Sequence, residues 1–254
     1  MEAPGPEARP GAPGHRLMSE GHDPEAPRRP FTARGSFVRR CDECRMPRLH
    51  CICAYRVKVA ARTHIWLLTH RLEHYKPTNT GRLIGDCIEH TRVFEWSRTV
   101  PDPALLAALD DPRFEPFLVF PDDQEDYRHR VVGVERAAAS ERTPVLILLD
   151  GTWRQARRMF RRSDYLADLP IVALRTERRT RYRLRKSAGP DHLCTAEVAA
   201  ELLSRTGDTR ASAVLDDYFT VFNEQYAAAR RDAGSPHPSE AAARLLSRGG
   251  DADA

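Results

Sequence analysis

The chain has 254 residues, 41% hydrophobic and 30% charged, and its 40 Lys and Arg against 36 Asp and Glu leave a formal net charge of +4. That length suits one large domain or two small ones, with enough apolar residues to bury a core. No run approaches 18 uninterrupted apolar residues, which excludes an apolar membrane-spanning helix, and residues 1–30 lack the apolar stretch of a secretory signal.

Residues 1–36 are rich in Pro and Gly and nearly devoid of large apolar side chains, so they read as a disordered tail. Residues 37–229 read as the folded unit: a cysteine-bearing segment over 37–56, then a core over 57–229. Residues 230–254 read as a flexible tail with room for a short Ala-rich helix near 240–247. Within the core, residues 64–69 (HIWLLT) read as a strand and 82–89 as a helix after the Pro-Thr-Asn-Thr-Gly turn. FLVF at 117–120 reads as a strand closed by Pro121. VLILL at 145–149 is a continuous apolar strand of the kind found at the centre of a parallel sheet. Residues 152–162 read as a helix, 171–174 as a strand, and 195–203 and 216–229 as helices. This alternation predicts an α/β fold, a mostly parallel sheet with flanking helices. Ligands of such sheets collect at the carboxyl ends of the strands.

Four of the six cysteines crowd into Cys41-x2-Cys44-x6-Cys51-x-Cys53. Disulfides do not persist in a reducing cytosol, the compartment expected for this chain. Two close cysteine pairs can surround one ion with four thiolates, so the spacing predicts a structural zinc site. An iron–sulfur centre uses the same donors.

A buried strand ends at Asp150, followed by Gly151-Thr152-Trp153 and a helix. Thr152 can cap that helix, and its amino end favours an anionic group; an ordinary capped turn has the same pattern. Arg154, Arg157, Arg158, Arg161 and Arg162 share one face of the helix, while Trp153, Ala156, Met159 and Phe160 form an apolar stripe. Basic residues continue through Arg183 and Arg185 to Lys186, twelve from residue 154 to 186 against three acids. Three of the chain's 40 basic residues are lysine (Lys58, Lys76 and Lys186), the rest arginine. The concentration predicts a nucleic-acid contact through Arg154, Arg157, Arg158, Arg161, Arg162, Arg183 and Arg185, with a solvated or internally paired surface as the alternative.

Thr78-Asn79-Thr80-Gly81-Arg82 lies between a strand and a helix, where its side chains can cap the helix or meet a polar ligand. Leu193-Cys194-Thr195-Ala196-Glu197 opens another helix. Counted from Thr195, Glu197 falls one residue short of a capping box, so capping accounts poorly for it. His64, His70, His74 and His90 form no metal spacing and read as surface or core residues.

Taken together, the cysteine cluster, His70-Arg71-x-Glu73 with Thr78-Asn79-Thr80-Gly81-Arg82, Phe120-Pro121, Asp150-Gly151-Thr152-Trp153, Tyr182-Arg183-Leu184-Arg185 and Leu193-Cys194-Thr195-Ala196-Glu197 resemble the DTW-domain proteins. Cys194 departs from the family pattern, which carries serine there. The resemblance covers residues 40–203. It implies a tRNA-uridine aminocarboxypropyltransferase, which moves the 3-amino-3-carboxypropyl group of S-adenosylmethionine to N3 of a tRNA uridine. It also implies a fold related to the knotted RNA methyltransferases of the SPOUT class. By resemblance, Thr78, Asn79, Thr80, Gly81, Gly151, Thr152, Trp153, Leu193, Thr195 and Glu197 form the S-adenosylmethionine loops. Uridine N3 carries a proton at neutral pH, so a general base helps, and Asp150 is the candidate. Asp150 could instead fix the turn or hold the substrate amine, and Trp153 could stack on a base or belong to the core. Two other readings stand beside this one: an RNA methyltransferase using the same co-substrate, and a zinc-containing RNA-binding protein without catalysis. The expected partner is tRNA, with no membrane and no evident protein partner, in the cytoplasm.

Overall fold

The computed structural model describes residues 38–185 and 192–250. The tail expected over 1–36, Lys186 and the last four residues lie outside the described residues.

Strand β5 (Thr143–Asp150) occupies the middle of a six-stranded sheet. β1 (His64–His70) pairs with it on one side and β3 (Phe114–Val119) on the other. Beyond β1 lies β2 (Thr91–Trp96); beyond β3 lie β6 (Ile171–Val172) and then β4 (Val131–Val132). Every pairing is parallel.

The continuous apolar runs of β1 and β5 follow from burial on both faces. Ile65, Leu67, Leu146 and Leu148 face a core shared with helices α1 (Gly81–Cys87), α5 (Thr195–Arg205) and α6 (Thr209–Arg230). Trp66, Leu68, Val145 and Ile147 face the other core, where α2 (Pro103–Leu109) and α4 (Trp153–Arg161) supply Leu105 and Met159. Each fully buried side chain of this kind contributes about 1.5–3 kcal/mol. The alternation therefore fixes the strand register, because a one-residue slip would exchange the two cores.

Several boundaries differ from expectation. β3 begins at Phe114 and runs through Pro116, although proline lacks a ladder donor. β6 pairs only with Leu118 and Val119, so Pro116 has β5 on one side and no strand on the other. α6 begins at Thr209 and not near residue 216. β2, α2, β4 and the short helix α3 (Val134–Ala138) are additional elements. β2 is an edge strand in which only Phe94 and Trp96 are buried, so it lacks a sustained apolar run.

The segment after residue 230 is not simply a flexible tail. Glu240–Gly250 forms α7. Ala241, Ala242 and Leu245 make a stripe one helical turn long that is buried in the α6 core. Arg244 and Arg248 bind Asp217 of α6 at 2.7 and 3.4 Å. No helix among the described residues is long and apolar enough to cross a membrane.

Candidate functional site

At the carboxyl ends of β5 and β3 lies a cleft of about 700 Å³, within the usual range of small-molecule sites (about 300–1,000 Å³). Its floor is apolar, with Leu148, Leu149, Val119 and Leu174. Its polar groups come from the loop before α1 (Thr78, Asn79, Thr80), the turn before α4 (Asp150 to Trp153), and the start of α5 (Cys194, Thr195).

Asp150 is the last residue of β5 and is 4% exposed. Its register partner on β1 is Thr69, so the loop leaving β1 emerges beside it. Asn79 Nδ2 donates to Asp150 Oδ2 at 2.7 Å, and Thr195 Oγ1 donates to Oδ1 at 2.9 Å. Asn79 Oδ1 in turn accepts from the Arg82 N–H at the start of α1, at 2.9 Å. Three separate motifs thus meet on one carboxylate. Burial pushes the Asp150 carboxyl above its ordinary range; the Asn79 and Thr195 hydrogen bonds oppose this, nearby Glu73 adds to it, and Arg185 opposes it.

Gly81 does not line the cleft. A Cβ on it would stand 2.7 Å from Asp150 Cγ and Oδ2, so the absence of a side chain lets the carboxylate sit against α1.

Thr152 caps α4. Its N–H donates to Gln155 Oε1 at 2.7 Å, and the Gln155 N–H reaches Thr152 Oγ1 at 3.4 Å, a capping box. Trp153 is half-buried in the cleft wall and not in the core; its ring meets His192 edge-on, with centroids 4.9 Å apart. Leu193 is buried along the same wall.

Glu197, expected in the S-adenosylmethionine loops, lies outside the cleft. It is 1% exposed. Its carboxylate accepts from the Cys194 N–H (2.9 Å), Thr180 Oγ1 (2.7 Å) and the Arg181 N–H (2.7 Å). A capping box does exist, with Cys194 and not Thr195 as the N-cap. That shift of one residue leaves the Thr195 hydroxyl free to reach Asp150.

The basic stretch divides in two. Arg157 pairs with Asp123 at 2.6 Å, Arg175 with Asp122, and both Arg178 and Arg181 with Asp216. Arg185, expected to contact RNA, turns inward to Glu73 and Thr78 at 2.7 and 2.8 Å and lines the cleft. Arg154, Arg158, Arg161, Arg162 and Arg183 are exposed and have no ion-pair partner among the described residues. Arg158, Arg161 and Arg162 line a second cavity of about 630 Å³ together with Arg98, from the segment after β2. Arg98 stands in Ser-Arg-Thr-Val, a stretch with no motif to mark it.

The four clustered cysteines are free thiols whose sulfurs lie within 4.8 Å of one another. Cys41 and Cys53 are 3.7 Å apart at sulfur, and Cys44 and Cys51 3.6 Å. Sulfurs placed 2.3 Å from one zinc at tetrahedral angles lie about 3.8 Å apart, so the donor set fits that ion. Backbone N–H groups of Cys44 and Glu43 draw the Cys41 thiol down to about 7, which favours its thiolate. The segment is docked on α6: Met46 and Ile52 are fully buried, and His50 Nδ1 lies 3.2 Å from Gln225 Oε1.

No histidine joins a metal group; the cysteine cluster is the one candidate among the described residues. His64 stacks on His90, and burial lowers it to about 4. His70 stacks on Trp96 and meets Gln155 at 3.2 Å.

Among known protein families, residues 38–227 match the model of the DTW domain. No solved structure matches the chain.

Proposed function

The chain belongs to the DTW-domain family, and on that footing we propose that it transfers the 3-amino-3-carboxypropyl group of S-adenosylmethionine to a tRNA uridine. Family membership supports a tRNA-modifying function in general. The observation that carries the finer reading is the convergence of the Thr78–Gly81, Asp150–Trp153 and Leu193–Thr195 loops on the buried Asp150 carboxylate in one cleft.

S-adenosylmethionine supplies an activated γ-carbon: the bond from uridine N3 to that carbon forms, the carbon–sulfur bond breaks with its electron pair going to sulfur, and neutral methylthioadenosine leaves. The protein selects the γ-carbon over the methyl by positioning. The apolar floor at Leu148, Leu149 and Val119 suits the adenosine, and Trp153 offers it or the uracil a ring face. Asp150 takes the N3 proton. A carboxyl raised by burial is a better base than a solvated one, and each oxygen keeps a lone pair beyond the bonds from Asn79 and Thr195. Arg154, Arg158, Arg161, Arg162 and Arg183 hold the RNA backbone. Cys41, Cys44, Cys51 and Cys53 hold a structural zinc with no position left for water.

The reading is tested by incubating the protein with unmodified tRNA and S-adenosylmethionine and analysing the nucleosides by mass spectrometry. A uridine enlarged by the four-carbon amino acid supports it. A methylated nucleoside assigns the chain to the methyltransferases, and an unchanged tRNA that still binds leaves the RNA-binding reading.

A further inference from the structure

Arg185 is anchored in the cleft wall. Its Nε donates to Thr78 Oγ1 at 2.8 Å and its Nη1 to Glu73 Oε2 at 2.7 Å. The Tyr182 hydroxyl donates to the Thr78 carbonyl at 2.5 Å and steadies the same loop. A guanidinium carries five N–H donors in a rigid fork, so two bonds leave three N–H groups unused. Nη2 is buried and has no hydrogen-bond partner among the described residues. Such a donor is costly to leave unmade.

A positive charge is also left over. Glu73 is 1% exposed and pairs with both Lys76 and Arg185. One carboxylate thus serves two cations, so this cluster carries one unit of positive charge beside a cleft that Asp122, Asp150 and Arg154 also line. Arg185 lines the cleft, so its guanidinium, held by Glu73 and Thr78, borders the space that a small ligand would fill.

Resting on the transferase reading, we propose that Arg185, oriented by Glu73 and Thr78, forms a carboxylate subsite that receives the α-carboxylate of S-adenosylmethionine. The anchoring bonds hold the fork ready before ligand arrives, so little side-chain freedom is lost on binding. Arg154 also lines the cleft but is exposed and has no ion-pair partner among the described residues. A carboxylate at Arg185 would fix the end of the chain to be transferred and so help to direct its γ-carbon.

Calorimetry with S-adenosylmethionine and with its decarboxylated analogue tests this. The native protein should bind the carboxylate-bearing ligand roughly 10- to 100-fold more tightly, the range of a charge-assisted hydrogen bond. Arg185→Gln should lose that preference and keep its affinity for the analogue and for tRNA. Arg185→Lys retains a cation for Glu73, so it serves if the glutamine variant fails to fold; it should lower the preference several-fold. A native preference that survives in either folded variant overturns the proposal. So does equal binding of the two ligands by a native protein that turns over S-adenosylmethionine, and there the transferase reading stands. A native protein that binds neither ligand overturns the transferase reading and this subsite with it.

Discussion

Gly81 and Asp150 touch in a way that leaves no room for a side chain: a Cβ on Gly81 would lie 2.7 Å from the Asp150 carboxyl carbon. The carboxylate at the end of β5 is thereby seated against the first turn of α1, between Asn79 and Thr195. Gly81→Ala should displace that carboxylate. Overpacking of this kind typically costs about 1–3 kcal/mol. The expected outcome is a lowered thermal midpoint together with weakened S-adenosylmethionine binding. A variant with native stability and native binding would show that the close approach is not needed.

Asp150→Asn should retain S-adenosylmethionine binding and lose turnover. In the native protein, kcat/KM should rise with pH through an ionisation above the ordinary aspartate value of 3.8, because the ionised form is the base. Stability runs the other way. The folded state holds this proton more tightly than the unfolded chain, so the contribution of Asp150 to stability is fully present below 3.8 and is lost as pH rises through the raised value. The asparagine variant should lack that slope, read from chemical denaturation at a series of pH values. Native turnover in the variant would remove Asp150 from the chemistry.

The cysteine segment should bind one zinc per chain, measured by elemental analysis. Its ligands lie against α6 through Met46, Ile52 and His50, so removing the metal should loosen more than the segment itself. Chelation or Cys44→Ser should lower the thermal midpoint and raise hydrogen exchange along α6 near Gln225. A metal-free protein with the native midpoint would contradict a structural role.

Arg98, Arg158, Arg161 and Arg162 surround one cavity without a carboxylate partner among the described residues. Replacing the four with glutamine should weaken tRNA binding and flatten its salt dependence by about one unit of slope for each phosphate no longer neutralised. Arg157→Gln should do much less, because Asp123 already neutralises that side chain. An unchanged slope in the fourfold variant would place the RNA elsewhere.

Much of this site is legible along the chain, for a physical reason. VLILL is buried on both faces and so announces β5, and Asp150 at its end announces the cleft. Local signals fail where the deciding partner is remote. Asp123 lies 34 residues before Arg157, and Glu73 lies 112 before Arg185, so no spacing separates a paired arginine from a free one. Glu197 is hidden for a different reason: the helix starts at Thr195, and Cys194 takes the cap position usually held by an oxygen-bearing side chain, so a box counted from the threonine misses it. Arg98 reaches its basket from a loop beyond an edge strand that itself lacks an apolar run.

The most direct test of the central claim is the fate of S-adenosylmethionine. Its nucleoside product, separated after incubation with the protein and unmodified tRNA, should be methylthioadenosine, formed only when tRNA is present and absent with Asp150→Asn. S-adenosylhomocysteine in its place would mean that the methyl had moved, and would contradict transfer of the γ-carbon.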